Sequence, residues 1–398
     1  MQDSLKTTRL TVFLIVLLDI MGLGLIIPAQ PFLAKSFGAD AITITQLGTI
    51  YSFMQFVLGP VWGSLSDRFG RRPVLLTTLL ITMSGHIVFA LAGSLMILFV
   101  ARGMVGIGAA NISTAQAVLS DTHPPAERSR AMALVGAAFG LGFVLGPALG
   151  GILFHIDQRA PAGLAAMLAL ANMVLVSRCV GETRPVSLTS SPSAHRVGLR
   201  SLLKADGSLR PLIMTTLFMM TAFALMEQSI GLFIESAWVP DGAEVGMKEA
   251  TKLTSIFLVV VGITAIFVQG FLVRRWLTST PETALLRGGL VIIAITLALI
   301  PCLGWYGSYA LFLVSGALLA LGSGMFNPSM AGLVSLSCPP DKQGIGLAIN
   351  QSAFALGRII GPLVAGALFA WSRNIPFITG SALTLVALAL ASRVRAAR

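Results

Sequence analysis

The 398-residue sequence has little charge, few acidic residues and few cysteines. Charged residues make up 11% of the chain, against about 25% in soluble proteins, which excludes an ordinary soluble domain. Cys179, Cys302 and Cys338 show neither disulfide nor metal-ligand spacing. The sequence also lacks a phosphate-binding loop, a nucleophile–base pair and a metal cluster. We therefore expect no enzyme activity, no cofactor and no metal site.

Long apolar runs dominate the chain, and hydrophobic residues make up 55% of it. Twelve runs reach the roughly 20 residues that a helical membrane span needs. The first run lacks a small-residue cleavage site, so we interpret it as a retained helix and not as a signal peptide. The five tryptophans lie at predicted span ends, as interfacial aromatic residues do: Trp62, Trp238, Trp276, Trp305 and Trp371. The sequence predicts an all-α integral membrane protein with 12 transmembrane helices.

The basic residues produce a net charge of +11. Nucleic acid is one partner that such a charge can indicate. Here, however, most of the 27 Lys and Arg residues fall in alternate connections, on the side that holds both chain ends. This asymmetry follows the positive-inside rule. It predicts that both termini lie in the cytoplasm and that nucleic acid is not a partner.

An internal repeat predicts the architecture. Residues 124–154 align without a gap with residues 339–369, so a loop and a span of the first half recur in the second. Parallel duplication of a six-span unit predicts two pseudo-symmetric six-helix bundles around a central cavity. The predicted domains are an N-terminal bundle at 1–180, a cytoplasmic linker rich in Ser, Pro and Arg at 181–210, and a C-terminal bundle at 211–398.

A charged stretch at residues 63–75 separates two predicted spans, 45–62 and 74–93, and we expect it to form a tight turn in water. Its spacing resembles the signature between spans 2 and 3 of the major facilitator superfamily. Together with Leu-Asp-Ile-Met-Gly-Leu-Gly-Leu-Ile-Ile-Pro at 18–28, it is similar to the tetracycline-efflux-like drug:proton antiporters. The resemblance covers the first half closely and the second half more loosely. It implies a gating role for the motif residues Gly63, Asp67, Arg68, Gly70, Arg71 and Arg72. We expect Asp67 to act as a latch on the positive N-terminus of span 11.

Span 5 carries closely spaced glycines and one proline. Glycines at such spacing let helix backbones touch, and the proline bends the helix. The pattern resembles the antiporter motif of the superfamily, and the alternative interpretation is generic tight packing. We assign these residues to conformational change: Gly142, Gly146, Pro147, Gly150 and Gly151.

Four charged residues fall inside predicted spans, where a charge costs about 2.5–3.5 kcal/mol at the bilayer centre. They must face the bundle interior or a wet cavity: Asp19, Arg102, Glu227 and Arg358. Asp19 is the first candidate for proton coupling, because a carboxyl at mid-depth can take a proton from one side and release it to the other. Glu227 is the second, since the repeat makes span 7 the counterpart of span 1. For Asp19 the alternative is a structural ion pair, and for Glu227, which Gln228 follows, it is a position near the outer vestibule.

Arg102 matches the span 4 arginine of the superfamily, although Val105 replaces the glutamine usual in that motif. The resemblance implies a part in proton transfer, and the alternative is a buried hydrogen-bonding strut. His86 stands where tetracycline exporters carry an acid, and their acid in span 9 has no counterpart here. The tetracycline-specific site is therefore not reproduced. His86 is either a titrating group of the proton pathway or a hydrogen-bonded polar residue.

Polar and aromatic residues inside spans are the candidates for substrate contact, and for each one the alternative is ordinary packing. They are Gln30, Tyr51, Gln55, Asn111, Gln116, Asn327, Asn350, Gln351, Phe354 and Arg358.

The sequence as a whole predicts a monomeric transporter of the cytoplasmic membrane that exports small amphiphilic molecules in exchange for protons, by alternating access. Its expected partners are the substrate, protons and the lipid bilayer. A symporter or uniporter for a nutrient is the alternative within transport, and a transport-dead sensor or scaffold is the alternative outside it. The identity and charge of the substrate stay open at this point.

Overall fold

The computed structural model describes residues 2–109, 114, 118, 125–182, 209–239, 243–272, 275–276, 280–305, 307–338 and 343–394. These described residues form twelve α-helices and no strand. The helices are α1 Gln2–Ser36, α2 Ala41–Phe69, α3 Arg71–Ala90, α4 Leu95–Gly108, α5 Pro125–Ile156, α6 Ala160–Cys179, α7 Leu209–Trp238, α8 Ala243–Phe267, α9 Glu282–Trp305, α10 Tyr309–Leu336, α11 Gln343–Trp371 and α12 Ile375–Ser392. The chain leaves α8 through a short π-helix, Val268–Leu272.

Ten of the described helices are long and apolar enough to cross a membrane. The other two contribute shorter apolar segments, Leu95–Gly108 and Gly140–Ile156. The predicted all-helical membrane fold with 12 helices is therefore confirmed. Asp40 caps the start of α2 by accepting a 2.8 Å hydrogen bond from the Thr43 amide. Hydrogen bonds from Thr43 lower the pKa of the Asp40 carboxyl.

The charged stretch at residues 63–75 differs from the expected turn, because α2 continues through it to Phe69. Only Gly70 separates α2 from α3, with a φ of 101° that an L side chain rarely adopts. The Glu182 carboxylate covers this break and accepts hydrogen bonds from the backbone amides of Arg71 (2.9 Å) and Arg72 (3.3 Å). The first amides of a helix have no partner within the helix, so the carboxylate stabilises the start of α3.

The chain divides into two compact units. Unit 1 takes its described residues from 1–39, 50–192 and 251–259, and unit 2 takes them from 40–49, 193–250 and 260–398. The domain boundaries that the sequence indicates stay a prediction.

Each unit uses the same helix pairing. In unit 1, α1 packs chiefly against α5 and α6, and α3 packs against α4 and α6. In unit 2, α7 packs chiefly against α11 and α12, and α9 packs against α10 and α12. This correspondence is what a duplicated six-helix sequence predicts.

Glycine faces bring the principal helices of each unit into backbone contact. In unit 1, a Cβ on Gly146 of α5 would lie 2.8 Å from the Cα of Gly24 and 2.9 Å from the carbonyl oxygen of Met21, both on α1. In unit 2, Gly361 of α11 meets Thr221 and Ala224 of α7 in the same way. A larger residue at either glycine would push the two backbones apart.

Candidate functional site

A small cavity in unit 1 brings together three of the predicted site residues. Its volume is about 20 Å³, which is enough for one water molecule. Three elements contribute most of its lining, because α1 supplies Asp19, α2 supplies Tyr51 and α3 supplies His86. The lining residues are Asp19, Ile20, Leu23, Tyr51, Thr82, His86, Val105 and Ala109. The site therefore combines an acid, an imidazole and two hydroxyl groups in a membrane-embedded position.

Two buried polar atoms of the cavity residues have no hydrogen-bond partner within the described part of the chain. They are Nδ1 of His86 and Oγ1 of Thr82, on side chains that are 3% and 6% exposed. Buried polar atoms are nearly always paired with protein or water. The arrangement thus suits a hydrated polar pocket better than an apolar core.

The position of His86 follows from small residues around it. A Cβ on Gly22 of α1 would lie 3.8 Å from His86 Nε2, so the imidazole faces the α1 backbone three residues after Asp19. Gly85 lets α3 approach α4 at the point where a Cβ would meet Val105 Cγ2 at 2.8 Å. Val105 thus packs against α3 and also lines the cavity.

Thr82 was not among the predicted site residues. Its signal was available, because it precedes His86 by four residues and therefore shares its helix face. A threonine inside an apolar span is an inconspicuous candidate for a site residue, because most such hydroxyls bond to their own helix backbone. Thr78 illustrates that behaviour by donating to the Val74 carbonyl at 2.9 Å.

Arg102 is buried beside the cavity and stacks its guanidinium on the ring of Tyr51, with 4.6 Å from Cζ to the ring centroid. The contact is a cation–π interaction, which grows stronger away from water. Gly106 allows it by letting α4 touch α2, since a Cβ there would lie 2.5 Å from the Tyr51 carbonyl oxygen. Arg102 therefore lies against Tyr51, one of the residues that line the cavity, and its part in proton transfer stays a prediction.

The glycines of the span 5 motif lie against α1 next to Asp19. A Cβ on Gly142 would meet the Ile20 side chain at 2.7 Å, and one on Gly150 would meet the Leu25 carbonyl oxygen at 2.5 Å. Gly151 instead contacts Ser255 of α8. Four motif residues are thus brought to the helix that carries the candidate acid: Gly142, Gly146, Pro147 and Gly150.

The gating residues around Gly70 interact within unit 1. Arg71 forms a 2.8 Å ion pair with Asp67 and donates a 2.7 Å hydrogen bond to Ser66. Arg72 donates to the Ser177 carbonyl at the end of α6. The latch of Asp67 on span 11 stays a prediction.

Glu227 and Arg358, predicted separately, are neighbours in unit 2. Glu227 Oε2 lies 3.5 Å from Arg358 Nη1, across α7 and α11. Their side chains are 12% and 26% exposed. The sequence placed both in spans but gave no signal that they meet, because the two residues lie far apart along the chain.

The glycine contacts also fix which residue of α7 corresponds to Asp19. Gly142 meets Ile20 in unit 1, and its repeat counterpart Gly357 meets Met220 in unit 2. Met219 therefore stands at the register of Asp19. Glu227 lies two turns further along α7, so it is a counterpart of Asp19 by helix but not by position.

The remaining predicted substrate residues are dispersed. Gln30 is buried, Phe354 is half-buried, and Asn327 and Gln351 are exposed. Gln55 donates to the Ala109 carbonyl at 3.4 Å, and Asn350 accepts a 2.6 Å hydrogen bond from Thr216. Asn111 and Gln116 lie outside the described residues.

Comparison with known proteins identifies the family of the chain. The chain matches the sequence model of the Major Facilitator Superfamily over residues 12–304 and 240–398. It is 30% identical over 388 residues to tetracycline resistance protein class C of Escherichia coli. The alignment covers 94% of this chain and 93% of that protein. Multidrug resistance protein 2 of Bacillus subtilis (strain 168) is 26% identical over 399 residues, covering 98% and 96%.

A solved structure supports the fold. The crystal structure of the human organic anion transporter MFSD10 (TETRAN) aligns with a TM-score of 0.74 at 24% identity, covering 97% of this chain and 99% of that one. The resemblance predicted from the two first-half motifs is confirmed. The chain is a multi-pass membrane protein of a transporter family and not an enzyme. It belongs to the Major Facilitator Superfamily.

Proposed function

We propose that this transporter is a proton-coupled antiporter that exports small amphiphilic molecules across the cytoplasmic membrane. The observation that carries the proposal is the water-sized cavity of unit 1, which Asp19 and His86 line beside the glycine face of α5. The polar groups of that cavity offer a proton an acceptor and neighbouring hydrogen-bonding groups inside the membrane.

Asp19 is the proton carrier in this mechanism. An ionised carboxylate inside a bilayer is unfavourable, and a bound proton removes the charge. A polar cavity with room for one water gives the proton a hydrogen-bonded route to the carboxyl. His86 and Thr82 contribute the polar atoms that hold such a route in place.

The coupling to conformation runs through α1 and α5. Ile20, the residue after Asp19, contacts Gly142, so the acid lies next to a close contact between α1 and α5. Neutralisation of Asp19 changes the electrostatic environment around this contact and around Arg102. Exchange follows if one conformational state of the transporter binds the substrate more tightly and the other conformational state binds the proton more tightly.

The relatives favour export of drugs. Their names concern tetracycline and multidrug resistance. His86 replaces the acid that tetracycline exporters carry in span 3, so we do not assign tetracycline itself as the substrate. The orientation that we propose has both termini in the cytoplasm and one protein chain per transporter.

The test is proton flux in proteoliposomes that contain purified protein and a pH-sensitive dye, during exposure to a panel of amphiphilic drugs. Wild-type protein should release or take up protons when a substrate is added. Asp19→Asn should abolish this flux while substrate binding persists. Asp157→Asn, at an exposed aspartate between α5 and α6, is the matched control and should behave like wild type.

Two results would contradict the proposal. Substrate movement without proton movement, unchanged by Asp19→Asn, would indicate facilitated diffusion. Proton and substrate movement in the same direction would indicate a symporter.

A further inference from the structure

Unit 2 carries a charge pair that the proton pathway of unit 1 does not use. Glu227 and Arg358 lie 3.5 Å apart, whereas charge-assisted N–H···O bonds are about 2.7–2.9 Å long. The two groups therefore attract each other without forming a tight, closed pair. Their side chains keep 12% and 26% exposure, so the protein does not fully enclose either charged group.

The helices that carry the pair do not need it for their contact. Gly357 precedes Arg358 directly, and a Cβ on it would lie 2.7 Å from Met220 Cβ of α7. Gly361, just over one turn after Gly357, meets Ala224 of α7. These backbone contacts already fix α11 against α7.

We propose that Glu227 and Arg358 form a binding site for zwitterionic amphiphiles. The acidic group of the ligand binds the Arg358 guanidinium, and its amine binds the Glu227 carboxylate. This inference rests on the proposed export function, because it names the chemical class of the exported molecule.

The charges of the pair select this class over singly charged ligands. A zwitterion that enters between the two side chains leaves each of them compensated. A simple anion would occupy Arg358 and leave Glu227 unpaired, and a simple cation would do the reverse. An unpaired charge in a poorly solvated site is strongly unfavourable.

Binding of a zwitterion in place of the ion pair also keeps this site separate from proton coupling. A bound zwitterion gives each side chain a partner of the same charge as the one it loses, so the net charge of the pair and its surroundings stays the same. The register of the helices agrees, since Met219 and not an acid stands in α7 where Asp19 stands in α1. Proton exchange thus belongs to unit 1 and recognition of ligand charge belongs to unit 2.

Three xanthene dyes with closely related ring systems serve as matched probes. A diamino xanthene with a free carboxylate is a zwitterion, its methyl ester is a cation, and fluorescein is an anion. Binding to the purified protein in detergent is measured by fluorescence anisotropy. We expect the wild type to bind the zwitterion about tenfold more tightly than either of the other dyes, because only the zwitterion leaves neither charge of the partly buried pair without a partner.

Two substitutions should change the preference in opposite directions. Glu227→Gln leaves Arg358 as a lone cation, so the preference should move to fluorescein. Arg358→Gln leaves Glu227 as a lone anion, so it should move to the methyl ester. Arg358→Lys keeps the positive charge, so this variant should still bind the zwitterion more tightly than the other two dyes.

A purely structural pair gives a different pattern, in which each neutral variant lowers the affinity for all three dyes together. That pattern, or a wild-type protein that does not bind the zwitterion most tightly, would overturn the proposal. Thermal unfolding identifies any variant that fails to fold, and the ranking of the dyes by wild-type protein tests the proposal without variants. Anisotropy needs no proton gradient, so its outcome is independent of the Asp19→Asn flux experiment.

Discussion

The chemistry of unit 1 is concentrated in a few polar atoms that the fold buries beside one carboxyl. His86 and Thr82 share a face of α3, and each has a buried polar atom without a hydrogen-bond partner among the described residues. Such atoms lower stability by about 1–3 kcal/mol each when nothing solvates them. Their presence around Asp19 favours a role in hydrating the cavity over a role in holding the helices.

Thr82→Val tests this role, because valine keeps the shape of threonine and removes the hydroxyl. We expect proton-coupled transport to slow, since the cavity loses a polar group that holds water near Asp19. The unfolding temperature should stay the same or rise, since the hydroxyl has no partner to lose within the described structure. Flux in proteoliposomes and thermal unfolding measure the two effects.

Thr78→Val is the matched control for this substitution. Thr78 lies one turn earlier on α3 and donates to the Val74 carbonyl, outside the cavity lining. Its loss should lower stability slightly and leave flux unchanged. Equal flux in wild type and Thr82→Val would show that the hydroxyl plays no part in proton movement.

The individual site residues differ in how far the sequence reveals them. Asp19 and Arg358 were predicted because a charge inside an apolar span is costly and therefore conspicuous. Thr82 was missed because a hydroxyl is cheap to bury when it bonds to its own helix. The pairing of Glu227 with Arg358 depends on how α7 packs on α11, which no local pattern encodes.

At the scale of helices, glycine faces decide which elements come close enough to position the site. Gly146 of α5 faces Gly24 and Met21 of α1, and the contact is made by backbone atoms. Backbone cannot move aside as a flexible side chain can. The position is therefore more sensitive to added volume than a glycine in open space.

Gly146→Ala should lower stability by about 1–3 kcal/mol, the usual cost of overpacking a close contact, and slow transport. Gly59→Ala in α2 is the matched control, since a Cβ there meets no atom of the described residues within 4 Å. Alanine is the better helix former by up to about 1 kcal/mol, so the control should match or exceed wild-type stability. Thermal unfolding compares the two variants, and equal losses in both would contradict the backbone contact.

The sequence located the twelve helices but misjudged one connection. The charged residues at 63–75 were expected in a turn, because charges belong in water. The structure instead extends α2 to Phe69 and confines the break to Gly70. Helix propensity and a cap from the distant Glu182 decide that boundary, and sequence patterns reveal only the first of these.

At the scale of the whole molecule, the two units share helix pairing but differ in their buried charge. Unit 1 places an acid, an imidazole and a stacked arginine around a small cavity, whereas in the described part of unit 2 Glu227 and Arg358 form a loose ion pair. The internal repeat predicted the shared pairing. It could not predict this division, because duplicated helices keep their contacts while individual side chains diverge.

The orientation of the molecule in the membrane is tested at the two ends of α6. This helix has 20 residues and is about 30 Å long, which matches the hydrocarbon thickness of a bilayer. Asp157 precedes it and native Cys179 ends it, and both are exposed. In a background with Cys302→Ser and Cys338→Ser, one variant keeps Cys179 and a second carries Cys179→Ser with Asp157→Cys.

With both termini in the cytoplasm, α6 runs from the outer to the inner side. A membrane-impermeant maleimide should therefore label Asp157→Cys in intact cells and label Cys179 only in inside-out vesicles. The reverse pattern would place both termini outside, against the distribution of Lys and Arg along the chain. Labelling of both positions from one side would mean that α6 does not cross the membrane, and the assignment of inner and outer ends to all the helices would then fail with it.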